Sequence, residues 1–352
     1  MNTYSPFISI ILPIRNEEDK ILSTLNSIIN QDYKSSNIEI IISDGCSNDN
    51  TINIIKKIAV QDSRIKIINN DYNIVSTGFN LGLNETKGDI IIRVDGHVEI
   101  PSNYISRCVA LLESKNADIV GGCIRTESDG IVGEAIAIAQ SSLFGVGGVK
   151  FRNNNFNKPT YVNTLAFGAH KREIFYEIGG YDEDMVCNQD DEFNHRAIQS
   201  RKKIWMDPSI KTKYYSRSNY RQLFKQYFNY GFYKVRGIQK RKRLFSIRHL
   251  VPSTFLISLI GTSIFGYFLH LPWISFSVIF LYLIVNFISS IIVSQKVFQI
   301  PLIFLSFWIL HLGYGLGFIW GLIRFSGKWR DNSLKDDHFN RKQFIANGGV
   351  SI

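Results

Sequence analysis

Acidic residues stop at Asp207 and do not return until Asp331. Across 208–330 the chain carries 16 Lys and Arg and no Asp or Glu. Residues 1–207 carry 21 against 27, and 331–352 carry 3 against 3. Inside the acid-free region, Val251–Leu269, Trp273–Val293 and Pro301–Ile323 hold no charged residue at all. Each is long enough to cross ~30 Å of hydrocarbon. The chain therefore divides into an acidic leading half and a half that is first basic and then apolar, which belongs at a membrane. Basic charge also suits nucleic acid. Here it borders apolar spans and the leading half is net acidic, so no nucleic-acid partner is expected.

The leading half alternates short apolar runs with amphipathic stretches. Strands are expected at Phe7–Leu12, Ile38–Ser43, Ile65–Ile68, Asp89–Val94 and Asp118–Ile124. Helices are expected at Glu17–Gln31, Thr51–Val60, Ser76–Glu85 and Ser102–Lys115. Strands alternating with helices predict an α/β fold, a mainly parallel Rossmann-like sheet with helices on both faces. Ligands of such sheets sit beyond the carboxyl ends of the strands. Residues 130–160 are rich in Gly and Asn without a clear period, and read as a loop that orders on binding. Cys46, Cys108, Cys123 and Cys187 show no metal spacing and read as buried thiols or bystanders. Phe7–Leu12 is too short for a signal peptide, so the first half is expected to stay cytosolic.

This reading gives four segments: a soluble domain over 1–235, a basic juxtamembrane segment over 236–250, about three transmembrane helices over 251–325 and a polar tail over 326–352. The side of the tail is open. Lys240, Arg241, Lys242, Arg243 and Arg248 place the start of the first span inside. Three crossings would then put the tail outside, yet Arg324, Lys328 and Arg330 follow the third span and argue for inside. One re-entrant or interfacial segment would reconcile the two. Tyr214–Arg236, rich in aromatic and basic residues, suits an interface with anionic lipid heads.

Polar residues gather at strand ends. Asp95 closes an apolar strand in Arg93-Val94-Asp95-Gly96-His97. Asp95 and His97, two apart, can face one metal diphosphate, with Gly96 giving the backbone room. A turn carboxylate that caps the next helix is the plainer alternative. Asp44 closes the second strand, where a nucleobase contact competes with an ordinary Asx turn. Pro13, Arg15, Asn16 and Glu17 close the first strand. Further along, Gln189-Asp190-Asp191-Glu192 packs three carboxylates together. Mutual repulsion raises a carboxylate pKa, as a general base requires. A solvated helix start explains the same cluster.

Taken in order, Pro13-x-Arg15-Asn16-Glu17, Ser43-Asp44-Gly45, Thr77-Gly78-Phe79-Asn80-x-Gly82, Arg93-Val94-Asp95-Gly96-His97 and Gln189-Asp190-Asp191-Glu192 resemble family 2 glycosyltransferases over roughly 5–235. Within that family the chain is most similar to the succinoglycan-type exopolysaccharide β-glucosyltransferases. Those share the Asp-Gly/Ala-His motif and a last span like His311-x-Gly313-Tyr314-Gly315. The resemblance implies a GT-A fold, a UDP-sugar donor and a divalent cation, Mg2+ or Mn2+. It implies that Pro13, Arg15, Glu17, Asp44, Gly78, Asn80 and Asp95 bind the nucleotide-sugar, and that Asp95 and His97 hold the metal. Asp190 takes the place of the catalytic base. The motif usually opens Glu-Asp and here opens Gln189-Asp190, so Asp191 stays a candidate.

The implied activity is inverting transfer of a sugar, with glucose as the expected one, to a polyprenyl-diphosphate-linked glycan at the inner membrane. A polyprenyl-phosphate glycosyltransferase is the nearest alternative. A processive synthase would carry Gln-x-x-Arg-Trp before its last spans, and there is no Trp between Asp207 and Trp273. A non-enzymatic basic scaffold leaves the strand-end motifs without a purpose.

Overall fold

The computed structural model describes residues 5–153, 156–242 and 246–348. The chain divides into two compact units. The first comprises 1–125, 154–214 and 334–352, and the second 126–153 and 215–333.

The first unit opens with β1 (Ile8–Ile14), α1 (Ile21–Ile29), β2 (Ile38–Asp44), α2 (Thr51–Ala59), β3 (Ile65–Asn69), α3 (Val75–Glu85) and β4 (Ile90–Arg93). It continues with the short β5 (Val98–Glu99), α4 (Tyr104–Ser114) and β6 (Ile119–Glu127). The sequence expectations hold for these elements within a few residues at each end. β1 pairs in parallel with β2 and β4, and β2 with β3. Ile8, Ile10, Ile11, Leu12, Ile40, Ile41, Ile42, Ile90, Ile91 and Ile92 are all buried. Such unbroken Ile runs suit strands covered on both faces.

The sheet then turns antiparallel. In the second unit lie α5 (Gly130–Gln140) and α6 (Leu143–Val146). The first unit resumes with β7 (Thr160–Tyr161), β8 (Ala169–Lys171), α7 (Glu173–Ile178), α8 (Gln189–Gln199) and β9 (Ile204–Tyr215). Strand order is β3-β2-β1-β4-β8-β6-β9-β5, with β7 on β9. β8 pairs antiparallel with both β4 and β6, and β9 with both β5 and β7. The sheet is thus mixed, with its parallel half as expected and an antiparallel half built from β5 and by sequence from 119 onward.

The loop expected over 130–160 is corrected in part. Gly130–Gln140 is a helix whose Ala135, Ile136, Ala137 and Ala139 are buried. Its exposed positions include the apolar Ile131 as well as Glu134, so the helix shows no clear amphipathic period to distinguish it from a loop. Residues 154 and 155 of that stretch lie outside the described ones. Of the four cysteines, Cys108 and Cys123 are buried, whereas Cys46 is exposed.

The tail also departs from expectation, because it splits at Leu334 and its last part belongs to the first unit. There α13 (Arg341–Asn347) packs by Phe344, which is fully buried. The buried Arg172 guanidinium lies 3.8 Å from the Phe344 ring centroid and donates to the Phe344 carbonyl. Asn84 fixes the same strap. Its Nδ2 donates to the His338 carbonyl at 2.8 Å, and its Oδ1 accepts from Asn340 N at 2.7 Å.

The second unit is helical. α9 (Tyr220–Arg241) is followed by α10 (Val251–Phe268), α11 (Trp273–Val293) and α12 (Ile300–Arg324). The segment expected as a separate basic linker from 236 is, up to Arg241, the end of α9. Residues 243–245 lie outside the described residues. Ile247–Phe268, Trp273–Val293 and Val297–Arg324 are each long and apolar enough to cross a membrane.

Candidate active site

β1, β2 and β3 end level with one another, while β4 ends opposite Ile11. Register pairs Ile14 with Asp44 and Asp44 with Asn69, while Ile11 pairs with Arg93. The residues that follow β1, β2 and β4 therefore meet along one edge of the sheet, the edge where parallel α/β sheets bind ligands.

Two loops are stitched together there. Asn16, at φ 54°, donates its N–H to Ser47 Oγ at 2.9 Å, and its Oδ1 accepts from Asn48 N at 2.9 Å. Glu17 N donates to Thr51 Oγ1 at 2.8 Å. Asp44 is 8% exposed, and its carboxylate accepts from Ser47 Oγ at 2.6 Å and from Ser47 N at 3.1 Å. The Asx turn is thus real. It does not consume all the acceptor sites of the carboxylate, and Arg15, which follows β1, is exposed. Pro13 is buried within β1.

The Asp95–His97 turn lies against the same loop. His97 Nδ1 stands 2.8 Å from Glu17 Oε1, and Thr24 Oγ1 donates to the Gly96 carbonyl at 2.9 Å. A Cβ at Gly96 would stand 2.7 Å from Glu17 Cγ and 3.0 Å from Ile14 Cγ2. Gly96 is needed for this close approach. His97 also meets Tyr214 edge to face at 5.1 Å.

Arg93 joins this turn to the acidic cluster. It is 3% exposed, and its Nη2 and Nε donate to Asp95 Oδ1 at 2.7 and 3.0 Å. Its Nη1 donates to Asp190 Oδ1 in the first turn of α8. Tyr181 adds its hydroxyl at 3.4 Å from the same oxygen. Burial pushes the Asp190 carboxyl up to about 6. Arg93 opposes that rise, and the charges of Asp95 and Asp191 add to it. One side of the group stays open, at 28% exposure, so solvent moderates the effect. Asp191 instead accepts from Thr164 Oγ1 at 2.6 Å. Glu192 is fully buried and paired with Arg196 at 2.7 Å, a structural use.

Arg93 was not among the expected site residues. Its signal was a lone Arg in an otherwise apolar strand run, Ile90-Ile91-Ile92-Arg93-Val94. A buried cation demands anionic partners, and the two nearest strand-end and helix-start acids supply them.

Two further residues expected at the nucleotide lie on a helix. Gly78 and Asn80 are buried within α3. Asn80 Nδ2 donates to the Tyr181 carbonyl at 2.8 Å and to Glu183 Oε1 at 2.7 Å, and its Oδ1 accepts from Tyr181 N at 2.8 Å. Its hydrogen-bonding capacity is spent on positioning the segment ahead of α8. A Cβ at Gly78 would stand 2.8 Å from Asn70 Nδ2 and 3.1 Å from Ser43 Oγ, so this glycine lets α3 close on the ends of β1 and β2. Both support the site from beneath.

Among the described residues no group of three or more His, Cys, Asp or Glu forms a metal cage. The donor set instead suits a cation shared with phosphates. Arg93 occupies Asp95 Oδ1 and leaves Oδ2, and Glu17 occupies His97 Nδ1 and leaves Nε2. Mg2+ and its like are held by one or two carboxylates plus substrate phosphates, and need no protein cage.

Comparison with known proteins places these residues in context. The sequence profile of Glycosyl transferase family 2 matches residues 9–179. A dolichyl N-acetyl-alpha-D-glucosaminyl phosphate 3-beta-D-2,3-diacetamido-2,3-dideoxy-beta-D-glucuronosyltransferase of Methanococcus voltae is 30% identical over 330 residues, 90% of this chain and 98% of that protein. A succinoglycan biosynthesis protein of Rhizobium meliloti (strain 1021) is 29% identical over 248 residues, 69% of this chain and 73% of that one. Among solved structures, a mannosyltransferase from Pyrobaculum calidifontis in complex with GDP-Man and Mn2+ superposes with a TM-score of 0.58 at 14% identity. It covers 91% of this chain and 88% of that one.

Proposed function

The chain belongs to glycosyl transferase family 2, and from that premise we propose that it moves a sugar from a UDP-sugar to a lipid-linked glycan, with inversion at the anomeric carbon. The observation that carries this is the Asp95–Arg93–Asp190 bridge. It sets a diphosphate-side carboxylate and a carboxylate of raised pKa at one strand-end site.

Each residue has a task. Asp44 accepts from the donor base, while Pro13, Arg15 and Glu17 line the nucleotide side. Asp95, with His97 beside it, would hold a divalent cation against the diphosphate. Such an ion supplies charge stabilisation to the departing nucleotide. The acceptor hydroxyl attacks the anomeric carbon as Asp190 takes its proton. A new C–O bond forms on one face while the bond to the diphosphate oxygen breaks on the other. A carboxylate near pKa 6 is ionised at neutral pH and still a better base than an ordinary aspartate. Positioning and fixed charge supply most of the rate.

The acceptor side rests on the membrane half and on the relatives. The Methanococcus voltae protein is named for a dolichyl-phosphate-linked sugar acceptor. A polyprenyl-diphosphate-linked glycan at the cytosolic leaflet of the inner membrane suits the basic, apolar segment of this chain.

Calorimetric titration of the detergent-purified chain tests the donor side. UDP is expected to bind more tightly when Mg2+ or Mn2+ is present, and Asp95→Ala is expected to abolish that difference. Asp44→Ala is expected to weaken UDP with or without metal. Tighter binding of GDP would transfer the proposal to a GDP-sugar. No binding of either nucleotide would refute it.

A further inference from the structure

Asp190 has two fixed neighbours, Arg93 and Tyr181, and they are held in different ways. Arg93 belongs to β4 and is tied to Asp95. Tyr181 lies in the segment 179–185 that joins α7 to α8, and its hydroxyl is 3.4 Å from Asp190 Oδ1. Its ring is buried, stacks on Phe79 at 4.3 Å and has the Arg93 guanidinium 5.6 Å from its centroid. Burial pushes the Tyr181 phenol well up, so the phenol keeps its proton and serves the carboxylate as a donor.

Two helices of the same unit hold that segment. Asn80 of α3 bonds the N–H and the carbonyl of Tyr181, and Arg196 of α8 donates to the Gly180 carbonyl at 2.6 Å. The third support is the strap that begins at Leu334. Glu183 N donates to the Lys335 carbonyl at 2.7 Å, and Gly180 N to Asp336 Oδ2 at 3.2 Å.

Glu183 is where these supports meet. Its side chain is 9% exposed. Its Oε1 accepts from Asn80 Nδ2 at 2.7 Å and from His338 N at 3.1 Å, and its Oε2 accepts from His338 Nδ1 at 2.6 Å. A carboxylate so enclosed needs such donors. The His338 ring also meets Tyr72 at 4.0 Å, in the loop after β3 whose Asn70 N donates to the Asp44 carbonyl at 2.8 Å. One side chain of the strap thus joins the approach to Asp190 with the loop beside Asp44. The strap itself is anchored by other groups, namely the buried Phe339 and Phe344 and the bonds of Asn84 to backbone atoms of His338 and Asn340. Loss of the His338 ring therefore leaves the strap in place.

We propose that Glu183 and His338 are positioning residues of the transfer site, locking 179–185 so that Tyr181 holds the Asp190 carboxylate in one orientation. The inference rests on the reading of Asp190 as the base. A general base works only within hydrogen-bond reach of the proton it takes, and a misplacement of about 1 Å costs up to about 10²-fold in rate.

The test uses the full chain in detergent with His338→Ala, His338→Asn or Glu183→Gln. Asparagine keeps an N–H donor close to the place of Nδ1. Amide hydrogen exchange reads the lock without turnover. Exchange over 179–190 is expected to rise in His338→Ala and Glu183→Gln, to fall back in His338→Asn and to stay unchanged over β1 to β4. Wild-type exchange over 179–190 in both disruptive variants would overturn the proposal, as would a rise throughout the first unit, the mark of a merely structural role. Turnover is the second readout. In His338→Ala kcat is expected to fall about tenfold to hundredfold, with UDP affinity by calorimetry unchanged and most of kcat restored in His338→Asn. Unchanged kcat, or kcat and UDP affinity lost together, would overturn the positioning role. A wild type that binds neither UDP nor GDP would refute the transfer reading itself, and the positioning role with it.

Discussion

Arg93 is a buried cation shared by two carboxylates. In the proposed mechanism Asp95 faces the divalent cation, whereas Asp190 takes up and releases a proton in each cycle. With Asp190 at about 6, the proposed base is lost as pH falls through that value. The acid limb of kcat/KM is therefore expected near pH 6. Arg93 holds the Asp190 carboxyl down, so Arg93→Gln is expected to move that limb to higher pH. A pH–rate profile reads the shift, and an unmoved limb would separate Arg93 from the base. Asp190→Asn is expected to abolish transfer while leaving nucleotide binding intact. Retained turnover would shift the role to Asp191, which Thr164 already orients. At this scale the sequence showed the residues that end strands, because a carboxylate after an apolar run has few structural uses. It did not show Arg93, whose importance lies in partners 2 and 97 positions away. Nor did it show that Asn80 bonds to Tyr181 and Glu183 or that Gly78 packs against Asn70 and Ser43, since spacing alone does not reveal partners distant in sequence.

At the scale of elements, period was the deciding signal. β1, β2 and β4 are short apolar runs between amphipathic stretches, and the elements from β1 to α4 lie within a few residues of where that alternation puts them. α5 carries no clear period, since its exposed residues include Ile131 as well as Glu134. The antiparallel strands β5, β7 and β8 are two or three residues long, too short for alternation to register. The close packing of α9 against α12, where a Cβ at Gly317 would collide with the Phe228 carbonyl, was hidden for another reason: an apolar 25-residue helix reads as a candidate span, and only its glycines point to a backbone partner. Gly317→Leu forces a side chain onto the Phe228 carbonyl. It is expected to destabilise the second unit by about 1–3 kcal/mol or more, visible as a lower melting temperature in detergent. In the first unit, Phe344→Ala removes a fully buried ring from beneath Arg172 and is expected to cost ~3–5 kcal/mol. Denaturant unfolding measures it, and a change within about 0.5 kcal/mol would mean that the strap contributes little.

Across the whole molecule, the charge boundary at Asp207 falls close to a physical one. The 154–214 segment of the first unit ends in β9 at Tyr214, and the chain returns to the helical second unit at Tyr215, eight residues after the last acid before Asp331. Composition was therefore a faithful guide to where the soluble fold ends. It missed the return, because 334–348 has an unremarkable polar composition and its place in the first unit depends on Phe344, Asn84 and Arg172. The chain belongs to glycosyl transferase family 2, and the proposal that its strand-end site transfers a sugar to a lipid-linked acceptor starts from that membership and from its apolar helices. The most direct measurement is transfer by the purified full chain. UDP- and GDP-sugars are offered one at a time with Mg2+ or Mn2+, with membrane lipid extract as acceptor, beside the Asp190→Asn variant. One UDP-sugar is expected to give a lipid-extractable labelled product with wild type and none with the variant. Equal product from both, or none from any donor, would contradict the account.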